Sequence, residues 1–137
     1  MKNLWMKRGI AVMAVCLTGL AAMAQTRAKD CVEVVYFHGK QRCATCIAIE
    51  RQAREVVEND FAGKKGQVVF KVVDISTQEG GKMAKDYLVT WSSLYINGWK
   101  DGKEKRNDMT QFAFKNARKN AAEFKKGVKG KIQELLK

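Results

Sequence analysis

Cys43 and Cys46, separated only by Ala44 and Thr45, are the side chains whose type and spacing best suit chemistry. If a helix begins at this point, both sulfurs face the same side of its first turn. The first meets solvent and the unpaired N–H groups of the helix start, whose partial positive charge favours thiolate over thiol. Lys40 and Arg42 add positive charge nearby. The second, one turn further in, is near enough to close a disulfide or to resolve a mixed one. A purely structural bridge would be a poor staple, because so short a loop removes little entropy from the unfolded chain. Three readings stand side by side: a redox pair, a pair of ligands for a soft metal or metalloid ion, and an inert bridge.

Stepping outward, residues 32–37 (VEVVYF) are short, β-branched and aromatic, which predicts a strand, and the Gly- and charge-rich residues 39–42 predict a turn. From Cys43 onward the period changes. Ile49, Ala53, Val56 and Asp60 or Phe61 fall on one helical face, and Gly63 and Gly66 end a helix of about four turns. Residues 68–75 (VVFKVVDI) are almost continuously apolar and read as a central strand covered on both faces. Residues 77–88 hold a short helix, residues 91–96 a strand, residues 97–102 a turn, and residues 103–106 a Lys-rich edge strand. In residues 110–137, Phe114, Ala117, Ala121, Phe124, Val128, Ile132 and Leu135 step by three and four, which predicts one helix weakened by Gly127 and Gly130. The expected fold class is α/β, in the order β-α-β-α-β-β-α. Its first two strands should be parallel through a right-handed crossover and its last two antiparallel, giving a mixed four-stranded sheet with helices on both faces.

The first 24 residues do not belong to this body. Lys2, Lys7 and Arg8 precede an apolar run at residues 9–20, and Ala22-Met23-Ala24 forms a small-x-small cleavage site. That order is a secretory signal peptide, and the run is short of the ~20 residues that span a bilayer. The domain is therefore expected at residues 25–137, exported to the periplasm of a Gram-negative cell, with no stable membrane insertion after cleavage. Losing the three leader cations takes the formal charge from +12 to +9. A basic balance invites a nucleic-acid reading. Export and the lack of a basic stretch interleaved with stacking aromatics argue against it, leaving a solvated basic surface, with an acidic protein or an anionic membrane as the other reading.

With Cys16 in the leader, Cys31, Cys43 and Cys46 remain, an odd number that suits one reactive pair and a spare. Cys31 precedes the first strand and Cys43 follows it. Six strand residues put roughly 20 Å between the strand's ends, too far for a bridge. Cys31 is read as a free or intermolecular thiol. His38, the only histidine, stands at the far end of that strand, where it can assist proton transfer near Cys43 or anchor the loop.

The βαβ start, the cysteine pair at a helix N-terminus and the closing hairpin and helix together resemble the thioredoxin superfamily over most of residues 25–137. Two stretches, residues 36–46 (YFHGKQRCATC) and 90–94 (TWSSL), resemble more specifically a small exported family identified as a nitrophenyl-compound nitroreductase subunit associated with arsenic-resistance clusters. The resemblance implies thiol–disulfide exchange with Cys43 and Cys46 as the catalytic pair. It brings Trp91 and Ser92 beside them, as contact residues with His38 and Arg42. Ser92 stands where thioredoxins carry a cis-proline, and this chain has no proline. A cis bond before a non-proline residue costs ~3–4 kcal/mol, so a trans bond is expected. Tyr36 stands where thioredoxins bury an acid. The partners implied are a disulfide-bearing protein and a nitroreductase. The chain has no Gly-rich nucleotide loop, so no cofactor of its own is expected, and nitro reduction would reside in that partner. The alternative is a Cu(I)- or As(III)-binding module using the same two sulfurs.

Expressed with its leader in a Gram-negative host, the mature protein should begin at Gln25. The intact mass of the extracytoplasmic product checks this, and a full-length membrane-bound product would refute it.

Overall fold

The strand that precedes the cysteine pair is buried along almost its whole length. In a computed structural model that describes residues 30–137, this strand, β1 (Cys31–His38), has Val32, Val34, Val35, Tyr36, Phe37 and His38 buried. The leader, its cleavage site and Cys16 lie outside the described residues. After the loop come α1 (Ala44–Glu55), which runs on through a wider turn at Val56–Asp60, then β2 (Val68–Asp74) and α2 (Gln78–Asp86). β3 (Ser93–Lys100), β4 (Lys103–Lys105), α3 (Thr110–Asn116) and α4 (Ala121–Leu136) complete the chain.

The sheet runs β2-β1-β3-β4. β1 pairs with β2 in parallel and with β3 antiparallel, so that Tyr36 lies between Val72 and Leu94. β3 and β4 pair antiparallel. The pleat sends alternate residues to opposite faces. Val32, Val34 and Tyr36 join Leu94 and Ile96 in the larger core, against Ile49 and Ala53 of α1, Ala113 of α3, and Phe124, Val128 and Ile132 of α4. Val35 and Phe37 face the other way, onto Ala84 of α2 and Val89. The result is a mixed four-stranded sheet with helices on both faces, in a thioredoxin-like arrangement.

Three expectations are corrected. The apolar run at residues 68–75 is an edge strand, because β3 takes the other side of β1; Val72 is 40% exposed. Such a run arises because α2 half-covers one face of β2 and the end of α1 the other, which leaves no clean alternation. Asn97 and Gly98 belong to β3, and the turn is Asp101-Gly102, both at positive φ (53° and 74°), as a tight hairpin requires. Asn97 is buried and donates from Nδ2 to the Tyr87 hydroxyl at 2.8 Å. The tail is two helices. Asn120 caps α4, accepting from the Glu123 N–H at 3.2 Å, and this Asn-x-x-Glu signal divides the periodic run. Gly127 does not end α4; a Cβ there would collide with the Phe112 ring.

Gly80 illustrates how tightly α2 is set on the sheet. Its N–H donates to the capping Thr77 hydroxyl at 3.0 Å, and a Cβ on it would overlap the carbonyl of Asp74, a backbone atom with no freedom to retreat. Gly80→Ala should therefore destabilise by about 2 kcal/mol despite alanine's better helix propensity. A thermal melt should show a fall of roughly 10 °C; an unchanged or higher Tm would contradict this packing.

Candidate functional site

β1, an inner strand of the sheet, ends at His38, and the loop at 39–42 turns the chain into α1. Cys43 is the N-cap: its backbone is extended, and its Sγ accepts from the Cys46 N–H at 3.1 Å. This is the electrostatic position foreseen for a stabilised thiolate, since a helix-terminal N–H points at the sulfur. Cys43 and Cys46 are disulfide-bonded, with Cα atoms 5.1 Å apart. Cys43 is exposed, whereas Cys46 is only 5% exposed. One cysteine is open to solvent and the other is covered, the asymmetry expected of an attacking and a resolving thiol.

Beneath the pair lies Tyr36, with no exposed surface. Its hydroxyl donates to the Cys46 carbonyl at 2.9 Å. Burial pushes this phenol above its ordinary range, and the nearby Ser92 hydroxyl pulls it back in part. Tyr36 thus holds the first turn of α1 to the central strand without contributing an ionisable acid there.

The loop is held from behind. His38 is buried and hydrogen-bonded through Nδ1 to the Gly39 carbonyl at 2.9 Å, and Nε2 lies 2.6 Å from an Arg42 guanidinium nitrogen. Arg42 donates and His38 Nε2 accepts, so the proton sits on Nδ1, donated to Gly39. The other arm of Arg42 binds Glu50 at 2.8 Å. His38 therefore acts as a loop anchor in this arrangement, and the positive charge of Arg42 is partly answered by Glu50, which Arg54 shares at 3.3 Å. Glu50 carried no signal in the sequence beyond its place on the polar side of the helix.

A cleft of about 460 Å³ opens over the disulfide, lined by Arg42, Cys43, Cys46, Ile75, Trp91 and Ser92. Five of the six site residues singled out in the sequence thus meet on one cleft, and His38 stands behind its wall. Trp91 is 60% exposed and stacks on Phe114, with ring centroids 5.1 Å apart. Ser92 is buried. No cis peptide bond occurs among the described residues, so the bond before Ser92 is trans. Cys31, at the opposite end of β1, is a free thiol whose pKa is raised by burial and by the Glu33 carboxylate. Gln52 is a residue the sequence reading passed over: buried on α1, it donates from Nε2 to the Ala117 carbonyl at 2.7 Å and ties α1 to the corner between α3 and α4.

No family model and no curated protein sequence matches this chain at a significant level. Solved structures do. Human ERp44 in a zinc-bound form aligns with a TM-score of 0.49 and 18% identity, over 75% of this chain and 26% of that one. A malarial protein aligns at 0.41 and 18%, over 61% and 92%. A thioredoxin from Thermus thermophilus aligns at 0.39 and 19%, over 76% and 82%. The chain spans about a quarter of the ERp44 structure it matches. The thioredoxin-like description stands on the strand order and the seat of the cysteine pair, both observed in this chain itself.

In the reduced protein, the lone Cys43 of a Cys46→Ser variant should be alkylated by iodoacetamide at neutral pH at least about tenfold faster than the lone Cys46 of a Cys43→Ser variant, because exposure and thiolate stabilisation both favour it. Equal rates would refute the assignment of Cys43 as nucleophile.

Proposed function

We propose that this protein catalyses thiol–disulfide exchange on protein substrates outside the cytoplasm, with Cys43 as nucleophile and Cys46 as resolving thiol. The observation that carries the reading is the exposed Cys43 sulfur capping α1 beside a covered Cys46 on an open cleft. The extracytoplasmic site of action is supported by the leader pattern of residues 1–24.

In the reducing direction, the Cys43 thiolate attacks one sulfur of a substrate disulfide. A Cys43–substrate bond forms, the substrate S–S bond breaks, and the released thiolate takes up a proton. Cys46 then loses its proton and attacks the Cys43 sulfur, which expels the second substrate thiolate. The substrate leaves as a dithiol and the protein as the Cys43–Cys46 disulfide. The oxidising direction is the exact reverse, and a partner dithiol or disulfide resets the pair. No carboxylate lines the cleft to receive the Cys46 proton. Trp91 offers a flat apolar face to the segment carrying the substrate cysteine.

The likeness of residues 36–46 and 90–94 to a nitroreductase subunit extends the proposal. The chain would then pass electrons to or from a partner in which nitro reduction takes place. A second use of the same sulfurs is the capture of a soft ion such as Cu(I) or As(III), favoured by the absence of a proline ring against them. Among the described residues no group of three or more His, Cys, Asp or Glu is set to hold a metal, which leaves such an ion two protein ligands. Exchange is accordingly the stronger reading.

Reduced Cys46→Ser protein, mixed with a disulfide-bearing protein such as insulin, should accumulate a covalent adduct that dithiothreitol releases. Cys43→Ser should form none, and the unaltered chain should turn insulin over without accumulation. Adducts of equal yield from both variants would overturn the assigned roles. Stoichiometric As(III) binding without any insulin adduct would replace exchange by metalloid capture.

A further inference from the structure

A second groove reaches the start of α1 at Ala44. It lies between the exposed side of α1 and the corner joining α3 to α4, holds about 450 Å³, and is lined by Ala44, Ile47, Gln52 and Ala121 with two arginines, Arg51 and Arg118. Ala44 directly follows the nucleophile. Cys43, Ile47 and Arg51 are spaced four apart, so they stack as one stripe along the helix. Ile47 is 52% exposed, an apolar surface one turn from the reactive sulfur. Arg51 and Arg118 are both exposed, neither takes part in a salt bridge among the described residues, and no carboxylate lines the groove. Glu50, next to Arg51, is taken by Arg42 and Arg54, and Glu55, one turn on, is paired with Lys125 at 2.8 Å, with Arg51 adding to the field that lowers its carboxyl. Gln52 is 4% exposed, and its Oε1 has no hydrogen-bond partner, an unmet acceptor in the groove's lining.

We infer that this groove takes an acidic segment of the disulfide-bearing partner, flanking the cysteine that Cys43 attacks. The inference rests on the exchange reading and adds a substrate preference to it. The charge complementarity is specific. Two arginines flank an apolar floor of Ile47, Ala48, Ala117 and Ala121, and the body around them carries a formal charge near +9 once the leader is removed. A segment with an apolar residue near the cysteine and an Asp or Glu a few positions further on meets Ile47 first and then the arginines. Opposite charges arranged in this way act chiefly by steering encounter and excluding the wrong partner, and they weaken as salt rises.

The test compares two synthetic peptides of matched length, each carrying one cysteine activated as a mixed disulfide with thiopyridine. One is flanked by Asp and Glu, the other by Lys. Release of thiopyridone by the reduced, leader-free protein is followed at low and at physiological salt, with dithiodipyridine as a small neutral disulfide reporting Cys43 itself. The acidic peptide should react at least about tenfold faster at low salt, with the advantage shrinking at higher salt. Arg51→Gln with Arg118→Gln should bring its rate close to that of the Lys peptide, with dithiodipyridine rates compared on the same proteins and folding checked by a thermal melt. Equal rates for the two peptides, or a preference that survives in the double variant, would overturn the inference. So would a parallel loss of the dithiodipyridine rate, which would mean the arginines act on the thiolate and not on the partner. Arginine-dependent sedimentation with phosphatidylglycerol vesicles, in the absence of peptide preference, would reassign the groove to a membrane surface and overturn it too. Failure of Cys43 to react with dithiodipyridine at all would instead sink the exchange reading.

Discussion

The hydroxyl of Tyr36 donates to the carbonyl of Cys46 from a position with no exposed surface, and the geometry of the cysteine pair depends on that tie. Tyr36 sits on β1, between β2 and β3, and hydrogen-bond ladders on both sides leave the strand no freedom to slide. The phenol extends from this fixed strand to the first turn of α1. It sets the height of Cys46 above the sheet, and Cys46 in turn directs its N–H at Cys43. Removing a partner from a buried hydrogen bond costs about 1–3 kcal/mol, more than an exposed loop of this kind can recover elsewhere. The side chain fills the space beneath the pair, satisfies the helix and adds no charge there.

A second set of contacts fixes the loop that β1 and α1 share. His38 holds Gly39 and Arg42, and Arg42 holds Glu50 two turns along α1. This chain is built from neighbours in sequence, at separations of one, four and eight residues, so it forms with the helix and asks little of the rest of the fold. It also spends the Arg42 charge. A cation read from the sequence as an activator of Cys43 is half answered by Glu50 before it reaches the sulfur.

The parts of the molecule legible in the sequence were those whose signals are local. The strand before the cysteines, the helix after them, the turn at Gly39 and the capping position of Cys43 follow from short-range periodicity and from helix-end chemistry. The gathering of Cys43, Trp91 and Ser92 on one cleft followed from a resemblance between stretches some fifty residues apart, since nothing local relates them. What was hidden depends on which element covers which. The apolar run of β2 looks central, yet it lies at an edge because α1 and α2 each shield part of it. Asn97 looks like a turn residue, but the Tyr87 hydroxyl and the Asn107 N–H satisfy its amide inside the sheet. Gln52 looks solvated, and only the carbonyl left free at the corner after α3 explains its burial.

The balance between the two redox forms follows from the same details. A bridge closing a loop of four residues stabilises the oxidised chain by only about 2 kcal/mol through loop entropy, so the stability of the thiolate weighs heavily on the potential. Each ~1.4 kcal/mol of added thiolate stabilisation moves a dithiol couple about 30 mV toward oxidant. The positive end of α1, whose Cys46 N–H points at the sulfur, acts in that sense on Cys43 and is worth on the order of 1 kcal/mol. Arg42 adds less than a free cation would, because Glu50 lies 2.8 Å away on its other side. Cys46 is the covered partner of the pair, and no carboxylate lines the cleft beside it. Beside the start of α1 the surface carries Ile47, Arg51 and Arg118, so a partner joined to Cys43 would meet an apolar side chain and two cations there.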